Sequence, residues 1–568
     1  MYIDIVPNRN SPPAILLRES LREGKKIVKR TLANLSALSL SQAEAIRAVL
    51  KGQPLAAVDE VFEIVHSRAH GAVNAIALAM GRLRLSALLG REPGRERDLV
   101  LAMIAARVLD PQSKLATTRS WDHSTLGELF GVSDADENEL YAALDWLRER
   151  QPVIEQRLAK RHLQEGGRVL YDLSSGYFEG EACPLAARGY SRDGKKGTLQ
   201  VNYGLMTDAR GCPVAIAVFE GNTTDPETLL EQVEKLQNDF ALQSVILVGD
   251  RGMISQAQVE ALRAHAGVAW ITALKSGAIR QLVAAGTLQM DLFDERNLFE
   301  CTHDDFPGER LIAYRNPQLA KLRAAKRCEL LAATTAALET VQRMVTHGRL
   351  KDPDKIGVRV GRVINQYKMA KHLVLEISAT QFAFHINEES VAAEAALDGL
   401  YVIRTALPAA QISSAEAVRH YKGLSHAEAA FRSLKSDVLQ IRPIYRHTEE
   451  RVRAHLLLCM LAYYVKWHMG EAWRRLLFAD EDHARLAERD PVAPATRSDA
   501  ALAKVASKRL ADGSPAHSFR TLLNALSTIV RNTCRRKNVS ADEATFNIDT
   551  TPNLKQQAAL DLIKAIHV

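Results

Sequence analysis

Two aspartates lie where the local sequence pattern predicts a chemical site. Asp172 is in the middle of the strand-like segment RVLYDLSS, on the predicted face of Leu170 and Ser174. Burying an unpaired carboxylate there is costly and normally requires a cation or a metal ion. Asp250 ends the apolar run SVILVG, at the carboxyl end of a predicted parallel strand, where open α/β sheets place their sites. If the two strands are neighbours in one sheet, the two aspartates meet.

A third carboxylate, Glu428, lies in the predicted helix YKGLSHAEAAFRSLK. Tyr421, Glu428 and Lys435 are spaced by seven residues, and Arg432 follows Glu428 by four, so Glu428, Arg432 and Lys435 share one helix face. A carboxylate flanked by cations suits a metal ligand whose neighbours hold a phosphate backbone. Carboxylate oxygens suit Mg²⁺ or Mn²⁺. Two such ions about 3.5–4 Å apart can activate the nucleophile and stabilise the leaving 3′ oxygen in an in-line phosphoryl transfer.

Most of these residues, other than Asp172, also have an ordinary structural explanation. Asp250 begins an Asp-Arg-Gly sequence that is typical of turns. Ser425 and Glu428 match the capping box of a helix start, and Arg432 and Lys435 would by default lie on a solvated face. The order of the three acidic residues along the pattern nevertheless favours one shared site.

The elements around Asp172 and Asp250 follow a defined order. RVLYDLSS, TLQVNYGLM and PVAIAVFE read as three successive strands. A helix capped by Asp225, with Pro226 at its first position, is predicted to run to about Asp239. The buried strand SVILVG, a helix opened by Ser255 and Gln258, and the strand VAWITAL come next. This order predicts an antiparallel meander whose sheet continues with parallel strands through helical crossovers.

The whole chain is predicted to be a multidomain α/β protein. Residues 1–165 are expected to form a mainly helical domain that begins with a small β meander. Residues 166–275 form the first part of the catalytic core, and 276–415 an inserted, partly β, basic subdomain. Residues 416–477 supply the catalytic helix and the helix after it, and 478–568 a basic C-terminal tail.

Several other kinds of chemistry have no signature in the sequence. GxxxxGK[ST] and GxGxxG are absent, which removes the usual marks of ATP hydrolysis and dinucleotide binding. The six cysteines are scattered singly, so neither a disulfide framework nor a zinc site is indicated. Three histidines lie on or near the apolar helix after RPIY, and their spacing favours packing or polar-rim roles: His447, His455 and His468. The longest apolar run, Leu456 to Val465, is about half the roughly 20 residues that a membrane span requires. A cytoplasmic protein without a membrane partner is expected.

The positive charge is concentrated in two segments. The chain of 568 residues has a net charge of +7. Residues 317–372 hold 12 Lys and Arg against 4 Asp and Glu, and residues 497–537 hold 9 against 2, so the remainder is net acidic. Beside a phosphoryl-transfer core, basic patches indicate DNA, held mainly through phosphates with an affinity that falls steeply with salt.

Together these segments resemble the DDE transposases of bacterial insertion sequences. The branch in question has a Tyr/Arg/Glu/Lys signature on its last catalytic helix and a β-rich insertion before that helix. LYDLSSGYFEG, ILVGDRGMIS and YKGLSHAEAAFRSLK carry the resemblance, which extends from about residue 1 to 470. One position departs from the signature, since Leu424 stands where Arg is expected.

The resemblance implies an RNase H-like core with two Mg²⁺ (or Mn²⁺) ions on Asp172, Asp250 and Glu428. It implies nicking at the ends of the element, attack of the freed 3′-OH on target DNA, and a homodimer in a synaptic complex on the bacterial nucleoid. Residues 1–165 are then expected to be the DNA-binding domain. The DNA partners are the terminal inverted repeats of the element and the target DNA. Five residues are expected to contact DNA: Tyr421, Arg432, Lys435, Arg251 and Lys422. A metal-dependent nuclease on the same fold and a catalytically inactive DNA-binding derivative remain the alternatives, the second because of Leu424.

Overall fold

The computed structural model describes most of the chain, as two compact units. The described residues are 1–8, 11–53, 61–180, 182–289, 293, 297–436, 438–445, 447–482, 489–493, 496–537 and 545–568. One unit consists of residues 1–69 with 529–551, and the other of residues 70–528 with 552–568. Within the described ranges, no helix has both the length and the apolar character that crossing a membrane requires.

The chain contains runs of consecutive strands and runs of consecutive helices. The strands are β1 (Tyr2–Val6), β2 (Ala14–Glu23), β3 (Lys26–Asn34), β4 (Phe62–Ala69), β5 (Arg168–Tyr177), β6 (Gln200–Asp208), β7 (Pro213–Glu220), β8 (Val245–Val248), β9 (Val268–Ala273), β10 (Leu298–Cys301), β11 (Arg310–Arg315), β12 (Leu373–Ile377), β13 (Phe382–Ile386), β14 (Leu400–Thr405), β15 (Val530–Arg536) and β16 (Phe546–Asp549). The helices are α1 (Leu40–Leu50), α2 (Gly71–Arg82), α3 (Leu85–Leu89), α4 (Arg95–Leu109), α5 (Lys114–Arg119), α6 (Leu126–Phe130), α7 (Glu137–Glu149), α8 (Gln151–His162), α9 (Leu229–Glu234), α10 (Gln256–Leu262), α11 (Ser276–Ala284), α12 (Pro317–Thr346), α13 (Pro353–Tyr367), α14 (Glu388–Ala395), α15 (Ser414–Lys422), α16 (Leu424–Lys435), α17 (Glu449–Ala472), α18 (Asp499–Ser507), α19 (Phe519–Ser527) and α20 (Leu554–Lys564).

The described part of the smaller unit contains two three-stranded sheets and the helix α1. β1, β2 and β3 form an antiparallel sheet, as the predicted meander requires, and Ile3 and Ile15 pack against Ala43 of α1. A second sheet has the order β16–β15–β4. The sequence pattern predicts helix across FEIVHSRA, but this segment is β4, because β15 from the far end of the chain pairs along it. The start of that predicted helix, residues 57–60, lies outside the described residues.

The expected helical N-terminal domain, 1–165, is therefore not one body in the structure. Residues 1–69 are mostly strands, whereas the helices from Gly71 onward belong to the larger unit. The reason is packing, since α4 and α7 lie against the long helix α17, whose side chains are buried along most of its length.

One eight-stranded mixed sheet forms the centre of the larger unit. Its order is β10–β11–β14–β9–β8–β5–β6–β7. β5, β6 and β7 are antiparallel neighbours, and β8 and β9 continue the sheet in parallel with β5. The α/β fold class and the mixed sheet predicted for an RNase H-like core are confirmed.

The segment expected as an insertion, 276–415, contributes to this sheet. β10, β11 and β14 extend it beyond β9, because β14 pairs antiparallel with β9. Within the larger unit, α12, α13 and the hairpin β12–β13 share a hydrophobic core of their own, which includes Leu338, Ile356 and Phe382. The boundary expected at residue 276 therefore does not mark the edge of the central sheet.

The segment expected as a basic tail, 478–568, is folded into both units. α19 and α20 pack against α2, and the indole N–H of Trp473 donates to the carbonyl of Ala559 at 2.9 Å. β15 and β16 complete the sheet that contains β4. Pairing partners so distant along the chain leave no local pattern in the sequence.

Candidate active site

The register of the sheet places Asp172 and Asp250 on the same face. β5 and β8 are parallel, and Leu170 is the partner of Val248. Asp172 follows Leu170 by two residues within β5 and so shares its face, and Asp250 follows Val248 by two residues just beyond the end of β8. The two aspartates line the same cleft. Neighbouring strands are about 4.8 Å apart. The sequence-based condition that the two strands be neighbours is met.

The helix α16 covers this same face of the sheet. Leu424 and Ala427 are buried in one hydrophobic cluster with Leu170 and Val248. Glu428 follows Leu424 by four residues and therefore lies on the sheet-facing side of the helix, although its own side chain is exposed. The structure thus brings together three carboxylates that are separated by 78 and 178 residues in the sequence.

The three carboxylates are coupled electrostatically. Burial raises the pKa of Asp172 to about 7, and the negative charges of Asp250 and Glu428 add to this rise. The backbone N–H of Leu173, which donates to Asp172 Oδ1 at 2.9 Å, and the nearby Arg192 oppose it. Asp172 thus lies in a partly desolvated place where further positive charge would be stabilising.

Asp250 has both a turn role and a place in this cluster. Its Oδ1 accepts from the backbone N–H groups of Gly252 and Met253, at 2.6 and 2.9 Å. Asp250 is therefore a turn residue, as the alternative interpretation predicts. The hydrogen bonds also fix the carboxylate at the end of β8, so the turn positions the side chain beside Asp172.

The capping alternative for Glu428 is wrong. The helix α16 begins at Leu424 with Gly423 as its N-cap, and no side chain caps it. Ser425 is already inside the helix, where a capping box cannot form. The position of Glu428 therefore has to be explained by something other than a helix start.

Two residues of the site escaped the sequence interpretation. The cleft that contains Asp172 and Asp250, about 600 Å³ in volume, is also lined by Arg192 and Asp225, which form an ion pair. Asp225 does not cap the following helix, because Thr224 holds that position and its backbone N–H donates to Glu227. A helical run does extend to Asp239, as predicted.

The expected DNA contacts fall into two groups. Arg251 and Arg432 are exposed. The Lys422 ammonium instead donates to the carbonyl of Pro491, and burial lowers its pKa to about 8. Tyr421 packs at the edge of the core cluster, and burial raises its pKa to about 12. Of these four, only the two arginines present their charge to solvent.

Lys435 belongs to a buried ion-pair network. Its ammonium lies 2.8 Å from Asp193 Oδ1, and Arg442 pairs with the same carboxylate. The Asp193 side chain is only 1% exposed and also accepts from the backbone N–H of Tyr177 at 3.2 Å. Burial lowers the pKa of Lys435, and its bond to Asp193 opposes that change. The network ties the loop after β5 to the end of α16.

Leu424, at the signature Arg position, points into the core. Its side chain is 9% exposed and packs with Val418 and Ile271. An arginine at this position would have to leave that cluster or bury its charge. The side chain at 424 therefore does not supply a phosphate contact in this chain.

The comparisons with known proteins agree on one family. Residues 177–465 match the transposase DDE domain, and residues 3–60 match the N-terminal domain of IS1634 family transposases. The first match contains Asp250 and Glu428 and begins five residues after Asp172. No curated protein is significantly similar to this chain.

Two solved structures are similar at a distance. One is the cryo-EM structure of a piggyBac transposase synaptic complex with hairpin DNA, at 9% identity over 80% of this chain and 76% of that chain, with a TM-score of 0.36. The other is the Mos1 transposase paired-end complex with the left transposon end, at 13% identity over 35% of this chain and 66% of that chain, with a TM-score of 0.14. The family match, by contrast, covers half of the chain. The chain belongs to the DDE transposases of bacterial insertion sequences.

Proposed function

We propose that this protein is an active transposase that binds the ends of its insertion sequence, hydrolyses a DNA strand there and joins the freed 3′-OH to target DNA. The observation that supports the proposal is that Asp172 and Asp250 line one cleft, while Glu428, on the helix that covers the same face of the sheet, acts electrostatically on Asp172. The carboxylates come from two neighbouring strand ends and one covering helix. Membership of the family alone would not distinguish an active copy from an inactive one.

The donor set fits divalent cations. Three carboxylates offer only oxygen ligands, which Mg²⁺ and Mn²⁺ prefer. Burial and, to a smaller extent, the charges of Asp250 and Glu428 raise the pKa of Asp172, and bound positive charge would offset both effects. We propose that Asp172, Asp250 and Glu428 hold two such ions. When bound, the ions supply activation of the attacking oxygen and stabilisation of the leaving 3′ oxygen. Arg192, held by Asp225, adds fixed positive charge beside Asp172.

The basic segment 317–372 is the stronger candidate for a DNA surface. It forms α12, α13 and the residues between and after them, and all of its Lys and Arg except Arg327 are exposed, among them Lys321, Arg323, Arg343, Lys355, Arg359 and Arg362. The other basic segment, 497–537, is divided between the two compact units, and its Arg531 and Arg535 pair with Asp549 and Glu63. We propose that DNA contacts α12 and α13 as well as Arg251 and Arg432. A homodimer in the synaptic complex is part of the same proposal.

A strand-transfer assay tests the proposed function. Duplexes that carry the terminal inverted repeats flanking the gene, incubated with the protein, Mg²⁺ and a target plasmid, should yield both nicked ends and joined product. Nicked ends without joined product would contradict the transposase and favour a nuclease on this fold. Binding of the repeats without either product would favour an inactive derivative, the alternative that Leu424 raised.

The affinity for DNA should fall steeply with salt and should depend on the exposed arginines. Arg251→Ala and Arg432→Ala should each weaken binding and reduce the slope of log K against log salt by about one. Fluorescence anisotropy between low and physiological salt measures both quantities. Lys422→Met is the matched control, since its ammonium is already held by Pro491, and it should leave the slope unchanged. A flat salt dependence of the unmodified protein would contradict phosphate-dominated binding.

A further inference from the structure

A second group of metal-ligating side chains lies in the larger unit, and it contains no carboxylate. His162 is the last residue of α8, Cys212 immediately precedes β7, and His468 lies in α17. One ligand atom from each of the three lies within 4.8 Å of the other two. The distance from Cys212 Sγ to His468 Nε2 is 3.7 Å. These residues are separated by 50 and 256 positions, so no spacing motif marks them in the sequence.

We propose that His162, Cys212 and His468 bind a divalent ion of the Zn²⁺ class, independently of the carboxylate site. Zinc bonds to sulfur at about 2.3 Å and to imidazole nitrogen at about 2.0–2.1 Å, which in a tetrahedron places S and N about 3.6 Å apart. The observed 3.7 Å matches this separation. Two imidazoles and a thiolate are the ligands that Zn²⁺ takes in preference to Mg²⁺ or Ca²⁺.

The surroundings favour coordination. Cys212 is fully buried and His468 is 9% exposed, so bulk water does not compete for their lone pairs. Burial lowers the pKa of His162 to about 4 and that of His468 to about 3, which keeps both rings in the neutral form that binds metals. Burial raises the pKa of the Cys212 thiol, and a coordinated zinc ion deprotonates such a thiol outright. The hydroxyl of Tyr464 lies 3.0 Å from His162 Nε2, at the edge of the group.

The ion would join α8, the turn between β6 and β7, and α17, and that turn contacts the helix α16. Cys212 lies in the turn between β6 and β7, and that turn touches α16 next to Glu428. The Nδ1–H of His426 donates to the carbonyl oxygen of Ala209 in this turn, at 3.1 Å. A Cβ added to Gly211 would come within 2.9 Å of the His426 side chain, so the approach of the turn to the helix is close. A metal at Cys212 would fix this turn to α8 and α17, and through the turn the start of α16.

Cobalt substitution tests the site. The untagged full chain, stripped with chelator and titrated with Co²⁺, should bind about one ion with the intense visible bands of a tetrahedral site and a thiolate-to-cobalt charge-transfer band. The titration is done in the Asp250→Asn variant, in which less Co²⁺ binds to the carboxylates. Any Co²⁺ that still binds there gives no thiolate band. Added Zn²⁺ should displace the cobalt and bleach both features. Elemental analysis of the protein as purified should find zinc near one ion per chain.

Matched variants separate a metal site from ordinary packing. Cys212→Ser and His162→Gln should remove the charge-transfer band, while Cys459→Ser should keep it. Cys459 is an equally buried cysteine whose Sγ lies 3.8 Å from Nε2 of His455, but that pair is not part of the three-ligand group. His162 is only partly buried at a helix end, so its variant provides the result even if Cys212→Ser fails to fold. No thiolate band, a band that survives Cys212→Ser, or no displacement by Zn²⁺ would overturn the proposal. None of these results would bear on strand transfer.

Discussion

Asp250→Asn is expected to abolish DNA cleavage and strand joining while leaving the fold intact. The amide keeps an oxygen that accepts from the N–H groups of Gly252 and Met253, so the turn at the end of β8 survives. The substitution removes the charge that a divalent cation requires at this position. Loss of several kcal/mol of transition-state stabilisation corresponds to a fall of about 10³-fold or more in rate. Product formation on radiolabelled transposon ends measures it.

Controls make this first result specific. Asp172→Asn and Glu428→Gln should show losses of the same order, because the three carboxylates act as one site. Asp239→Asn is the matched control, an exposed aspartate in the same unit and outside the cleft. Circular dichroism and an unchanged affinity for the terminal repeats would exclude unfolding. Cleavage by Asp250→Asn at the rate of the unmodified protein would show that the activity arises elsewhere.

The second large effect concerns stability. Asp193→Ala is expected to lower the free energy of unfolding by about 3–5 kcal/mol, because it leaves two cations without their shared carboxylate in a poorly hydrated place. The side chain of Asp193 is 1% exposed and that of Lys435 13% exposed, so solvent does little to screen the loss. Arg442 and the N–H of Tyr177 lose the same partner. Denaturant unfolding followed by fluorescence measures the change.

A partner substitution and a surface control test the cause. Adding Lys435→Met to Asp193→Ala should recover part of the lost stability, since it removes one of the unpaired charges. Asp134→Ala removes an exposed carboxylate that pairs with Arg95 at the surface and should leave the unfolding midpoint unchanged. An unaltered midpoint for Asp193→Ala would mean that the network contributes nothing to stability. Further loss on adding Lys435→Met would show that the lysine stabilises by packing instead.

The central strands could be predicted because their patterns are local. The alternation in β5 and the short apolar run of β8 are set by burial on a sheet, and the order of elements between them requires a parallel crossover. Register then follows, and with it the shared face of Asp172 and Asp250. The helix that carries Glu428 was predictable for the same reason, from an apolar stripe with polar residues between.

Long-range partners account for what the pattern did not show. FEIVHSRA becomes β4 only because β15 pairs with it from more than 460 residues away. GLYVIRT forms β14 inside the main sheet because β9 has a free edge next to it. Likewise, the helix pattern predicts that Lys422 and Lys435 are solvated. In the folded chain the Lys422 ammonium donates to the carbonyl of Pro491, and the Lys435 ammonium donates to the carboxylate of Asp193. Neither neighbour can be identified from spacing along α15 and α16.

The most direct test of the central claim asks whether Asp250 itself binds the metal ion. Asp250→Cys replaces the carboxylate by a softer sulfur ligand, which Mn²⁺ accepts more readily than Mg²⁺ does. Strand transfer by this variant should be lost in Mg²⁺ and partly restored in Mn²⁺, while Asp250→Ala should stay inactive in both metals. Equal activity of Asp250→Cys in Mg²⁺ and Mn²⁺, or no recovery in Mn²⁺ by a folded variant that still binds the terminal repeats, would contradict metal coordination by Asp250.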